Sequence, residues 1–132
     1  MHKGFIRIAC IFAALAIGLG AFGAHELKKY VSAEMLVTFD TAVRYHFYHT
    51  IALFITGIVF YSFPNNWVKT AGITFLLGII LFSGSLYTLT ILYAAYSVGS
   101  RGIGFITPFG GLFFIAGWLF LLIGIRNKSQ SL

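Results

Sequence analysis

Acidic side chains are almost missing from this chain. Glu26, Glu34 and Asp40 are the only three among 132 residues, and they lie in one short stretch. The long apolar runs therefore hold no paired carboxylates. No acid is available to orient a histidine, so a Ser-His hydrolytic triad is unsupported. Cysteine is scarcer still. Cys10 alone excludes an intramolecular disulfide and any multi-cysteine metal site, and it reads as a small packing residue. Charged residues make up 9% of the chain, against roughly 25% in a soluble domain, so a water-facing surface cannot be built. Phosphate-binding loops, GxSxG elbows and HExxH motifs are all missing.

What fills the chain instead is four apolar runs, at 5–24, 47–63, 70–93 and 103–125. Each approaches the ~20 residues that a helix needs to cross a bilayer, the second being the shortest. Hydrophobic residues are 59% of the total and mean hydropathy is +0.92. The expected fold class is all-α: one domain over 1–132, an integral membrane bundle of four transmembrane helices.

The net charge is +6. The basic residues are scattered between apolar runs without an interleaved aromatic surface, which speaks against nucleic acid. They read as headgroup anchors and topology signals, with membrane lipids as the partner. Four spans put both termini on one side, with Lys3, Arg7, Lys69, Arg126 and Lys128. The other side takes Lys28, Lys29, Arg44 and Arg101. The bias leans toward cytoplasmic termini. Lys3, Arg7 and the Ala21-Phe22-Gly23-Ala24 stretch imitate a secretory signal, but the small residues continue a helical face, so the run reads as a span.

Ala9, Ala13, Ala16, Gly20 and Gly23 or Ala24 follow one another at steps of three and four, hence on one helix face. Lipid gives helices no hydrophobic reason to associate, so close backbone approach must do it. Gly110, Gly117 and Gly124 recur every seven residues and mark a second packing face. Homo-oligomer formation through these Gly/Ala faces is an expectation.

Segment 26–46 alternates charged and apolar residues and predicts a short amphipathic interfacial helix between spans one and two, continuous with the second span or separate from it. Asp40 precedes Arg44 by four, the favourable order for a helical pair. Thr107 and Pro108 suit a helix start. A helix from Pro108 to Ile125 would be about 27 Å long, so Gly102–Ile106 is either non-helical chain dipping into the protein or part of a helix kinked at Pro108.

The polar residues collect at one end of the runs. His25 ends the first, Tyr45 and His49 open the second, Ser83, Ser85 and Tyr87 lie inside the end of the third, and Arg101 and Thr107 lead into the fourth. Topology puts all of them toward the face away from the termini. They are the candidate lining of a ligand pocket, since an ionisable group at membrane depth is a functional hypothesis by default. The alternative is that these hydroxyls and imidazoles bond neighbouring helices at about 0.6 kcal/mol each. His46 and His49 are three apart and are weak metal candidates that need His25 as a third ligand; the residues argue for no metal and no cofactor. A helix beginning at Thr107, with Arg101 beside it, is also a place for an anion or lipid headgroup.

Four blocks carry a resemblance. GAFGAHEL at 20–27, TAVRYHFYHTIAL at 41–53, LFSGSLYTL at 81–89 and GIGFITPFGGLFFIAGW at 102–118 resemble the small bacterial membrane proteins grouped as domain of unknown function four hundred and twenty-three, which have a eukaryotic transmembrane counterpart. The resemblance implies a four-span protein of the bacterial plasma membrane and no activity. It marks Gly23, His25, Tyr45, His49, Ser83, Ser85, Tyr87, Thr107, Pro108 and Gly110. Glu26 and His46 depart from it, standing where the family has glycine and glutamine, and the second departure weakens the His46–His49 metal pair. Three function classes follow: a small permease or ligand-binding membrane module, which the polar cluster favours; a structural or accessory subunit without ligand; and, last, a lipid-acting membrane enzyme.

Overall fold

The computed structural model describes residues 1–96 and 101–126; Lys128 lies outside them. All regular structure among the described residues is helical. Helix α1 runs Lys3–His25 and α2 runs Ala33–Val59. A third rod is built from α3 (Asn66–Gly78), a π-helical turn (Ile79–Ser83) and α4 (Gly84–Tyr96). A single turn, α5 (Arg101–Gly104), leads through Phe105 into α6 (Ile106–Arg126).

Three stretches are long and apolar enough to cross a membrane: Lys3–Lys29, Asn66–Tyr96 and Gly102–Arg126. Helix α2 is longer than α1, at 27 residues against 23, but carries Glu34, Asp40 and Arg44 in its first half. The amphipathic stretch is therefore not a separate helix. Only a 3₁₀ turn, Leu27–Lys29, stands between α1 and α2, and the amphipathic residues form the first half of α2 itself. The structure matches neither reading of 102–106 as stated: most of the segment is helical, and the break falls at Phe105 and not at Pro108. Pro108 sits in the first turn of α6, where a missing N–H costs nothing.

Local chemistry sets the ends. Ser32 caps α2, its Oγ accepting the Met35 N–H at 3.3 Å. Asn65 does two jobs: Oδ1 accepts the Val68 N–H at 3.1 Å, capping α3, and Nδ2 donates to the Gly124 carbonyl at 2.9 Å, tying that cap to the end of α6. His2 caps α1 through Nδ1, and its own N–H donates to the Gly57 carbonyl of α2 at 2.8 Å.

Two antiparallel seams hold the helices together, and both mesh on a seven-residue step. In the α3–α6 seam Gly124 receives Val68, Gly117 receives Phe75 and Gly110 receives Phe82. A Cβ would stand 2.6 Å from Val68 at Gly124 and 2.5 Å from Phe75 at Gly117. At Gly110 it would run into the Phe82 backbone itself. The exchange is mutual, because Gly78 on α3 receives Phe114 from α6. Val68, Phe75 and Phe114 belong to the main core cluster with Ala71 and Leu121.

In the α1–α2 seam the buried small residues Ala9, Ala16 and Gly23 step by seven along α1. Phe39, His46 and Leu53 do the same along α2, all buried. The ring of Phe39 closes on Gly23, and Phe12 meets His46 edge-on at 5.5 Å. Helix α2 sits centrally, packed on α1 and on each part of the third rod, while α6 packs chiefly on α3 and the π turn.

Candidate functional site

Among the described residues, three separate polar pairs join one helix to another. His49 is buried, its ring stacked on Phe114 with centroids 3.4 Å apart. Its Nδ1 lies 2.9 Å from the Tyr45 carbonyl. A carbonyl only accepts, so Nδ1 carries the proton and Nε2 is the acceptor. The Trp118 indole N–H donates to that Nε2 at 3.4 Å. Both ring nitrogens are engaged, and α2 is joined to α6.

The second pair joins α2 to α4: His46 Nδ1 lies 3.2 Å from the Tyr87 hydroxyl. The third joins α4 to α6. Ser85 Oγ donates to the Phe82 carbonyl at 2.8 Å, so it receives the Thr107 hydroxyl proton across 2.7 Å. Thr107 thus spends its hydroxyl on Ser85, and Pro108 offers no N–H, which leaves little of the expected anion site at the α6 start.

These pairs do not enclose the expected pocket. His25 is exposed at the last residue of α1 and touches none of them. The packed face of α1 runs through Gly23, and two further residues turn the helix by about 200°, which sends His25 outward. Tyr45 is exposed on α2, its ring 4.8 Å from that of Phe82. Ser83 is fully buried. Arg101 lies in α5, and its side chain is outside the described residues. With His25 remote and His49 bound to Tyr45 and Trp118, the three weak metal candidates are not gathered; among the described residues no three His, Cys, Asp or Glu side chains group together.

A shallow hollow of about 400 Å³ lies beside Ser85, lined otherwise by Ile80, Leu81, Gly84, Thr88, Ile103 and Ile106; further open space runs along the α1–α2 seam. One groove of about 320 Å³ has Gly20, Gly23 and Ala24 as one wall and Leu36, Phe39 and Val43 as the other, with Asp40 and Arg44 at its edge. A second, of about 310 Å³, continues from it past Ala16 and Ile17 to Phe47 and Tyr48. The two share Gly20, Val43 and Arg44. Arg44 Nη2 reaches Asp40 Oδ2 at 3.0 Å, and both side chains are more than half exposed.

A family model described as "Protein of unknown function (DUF423)" matches residues 19–111. The chain belongs to this family. The DUF423 chain is 43% identical over 124 residues to a UPF0382 membrane protein of Staphylococcus saprophyticus, covering 92% of this chain and 96% of the relative. It is 39% identical to the UPF0382 membrane protein YwdK of Bacillus subtilis, covering 92% and 94%. It is 35% identical to the UPF0382 inner membrane protein YgdD of Escherichia coli, covering 95% of each. No solved structure matches significantly. The protein is thus a multi-pass helical membrane protein of a family without assigned function.

Sequence reading missed Trp118, Phe114 and the groove. Trp118 carried a usable sign, since a buried or half-buried indole needs an acceptor for its N–H and His49 was the unassigned acceptor. The groove carried none, because it is defined by what small residues leave empty.

Proposed function

We propose that this DUF423 protein is a ligand-binding membrane module whose ligand is a phospholipid held along the α1–α2 seam. The observation that carries this reading is the continuous groove with an apolar floor and one cation at its rim. Acyl chains are what surrounds such a groove in a bilayer. Arg44 uses Nη2 on Asp40, which leaves guanidinium donors for a phosphate, the anion that an Arg fork fits best. In this reading α2 is the fourth crossing, and its Ser32–Asp40 stretch lies in the interface, where headgroups sit. The termini face the cytoplasm: Lys3, Arg7, Lys69 and Arg126 mark one end and Lys28, Lys29 and Arg44 the other, and the membrane is the plasma membrane of a bacterium.

The permease variant finds less support, because the interior polar groups His49, Tyr87, Ser85 and Thr107 are engaged in pairs between helices. An enzymatic reading built on Ser85 finds less support, since that hydroxyl is bonded to Phe82 and Thr107. A second reading, an accessory subunit whose polar groups only join helices, is favoured by the same three pairs.

Native mass spectrometry of the protein, released from vesicles of phosphatidylglycerol and phosphatidylcholine, separates the two readings. Gly20→Leu, which fills the groove where only Val43 is near at 3.4 Å, weakens phospholipid retention about tenfold, equivalent to about 1.4 kcal/mol. Arg44→Ala removes the preference for the anionic lipid. Unchanged retention in Gly20→Leu leaves the accessory reading.

A further inference from the structure

Among the described residues, three buried polar side-chain atoms have no hydrogen-bond partner: His46 Nε2, Thr50 Oγ1 and Ser83 Oγ. Their residues are 5%, 1% and 0% exposed. Buried groups of this kind are rare in native interiors, and an ordered water is a common reason for one.

The three are neighbours by register. His46 and Thr50 are four apart on α2, so they share a face; Ser83 and Tyr87 are four apart along the π turn and α4. The two helices are antiparallel, and the His46–Tyr87 contact fixes how they align. By that register, one turn further along toward the same end, the positions of Thr50 and Ser83 fall opposite each other.

Neither hydroxyl takes the easy way out. A threonine in a helix can donate to the carbonyl four residues back. Thr38, Thr41, Thr56, Thr74, Thr88 and Thr90 all do so here. Thr50 does not, although it is more deeply buried than most of them. Ser85 bonds back to Phe82, whereas Ser83, two residues earlier, bonds to nothing. Ser83 also closes the π turn, a local widening of the helix that recurs at functional sites.

The chemistry of the set selects its guest. It has no carboxylate, so it does not suit a cation, and no Arg or Lys, so it does not suit an anion. One imidazole nitrogen and two hydroxyls, each hydroxyl able to donate and accept, suit a small neutral molecule that does both. We propose that His46, Thr50 and Ser83 together hold an internal water molecule at the π turn, between α2 and α4. The site is distinct from the α1–α2 groove and stands or falls separately from the lipid reading. It also gives a partner to the second ring nitrogen of His46, the first being bonded to Tyr87.

Solid-state NMR of the labelled protein in bilayers tests this, by polarisation transfer from water to the side chains. The expected result is a water cross-peak at the His46 ring that is lost in Thr50→Val/Ser83→Ala, variants that keep side-chain size and delete both hydroxyls. Where the double variant fails to fold, each single variant is read in the same way. No water cross-peak at His46 in the unaltered protein overturns the proposal. So does a cross-peak that survives removal of both hydroxyls, because it would then come through Tyr87.

Discussion

The two antiparallel seams are built on the same seven-residue step and end up with different properties. In the α3–α6 seam each helix gives large residues and receives them. Gly117 takes Phe75, and one turn on Gly78 takes Phe114. In the α1–α2 seam this mutual exchange occurs only near the termini, where Gly57 takes Ile6. Further along, α1 gives Phe12 to the edge of His46, but beside the groove its packed face is built of the small residues Ala16, Gly20 and Gly23. A Cβ added at Gly20 would meet Val43 at an ordinary 3.4 Å. Mutual exchange closes a seam on both flanks. One-sided exchange brings the helices together and leaves a groove beside the contact. Pairing small residues thus sets how near two helices come, while the placement of large ones decides whether space remains.

The comparison can be broken most severely at Gly110. Gly110→Ala puts a methyl against the backbone of Phe82, which cannot rotate away as a side chain would. The expected cost is about 3 kcal/mol, the upper part of the overpacking range, read as a large drop in the melting temperature of the purified protein. Next comes Asn65→Ala, which removes the α3 cap and the bond to Gly124 together. A lost cap costs about 1 kcal/mol, so the loss here is at least that; denaturant titration in mixed micelles measures it. The smallest effect has the opposite sign. Gly18→Ala meets no neighbour and lies within a helix, so it stabilises by about 0.5–1 kcal/mol. A destabilised Gly18→Ala would show that this exposed face of α1 is covered in the membrane.

Much of this fold could be read in advance, for definable reasons. Long uncharged runs have few alternatives to spanning helices, and the Gly110, Gly117 and Gly124 step survived intact because a glycine repeated at one helix face has few uses besides close approach. Its partners Val68, Phe75 and Phe82 did not stand out, since large apolar residues also face lipid. The π turn has no composition of its own. The candidate site was only partly legible. Being at one end of a span fixes depth but not direction, so His25 could be placed at the correct end and still face outward. His46, set aside because the resemblance favours glutamine there, is the residue that bonds Tyr87. Thr50 passed unnoticed because its importance lies in a bond it does not make.

Trp118 is one of only two tryptophans, and its indole N–H sits on the His49 ring across the gap between α6 and α2. The other, Trp67, packs on Phe120 near the start of α3. Fluorescence from Trp118 in a Trp67→Phe background therefore reports on a single inter-helix junction, and the molecule carries its own gauge of whether its two halves stay closed.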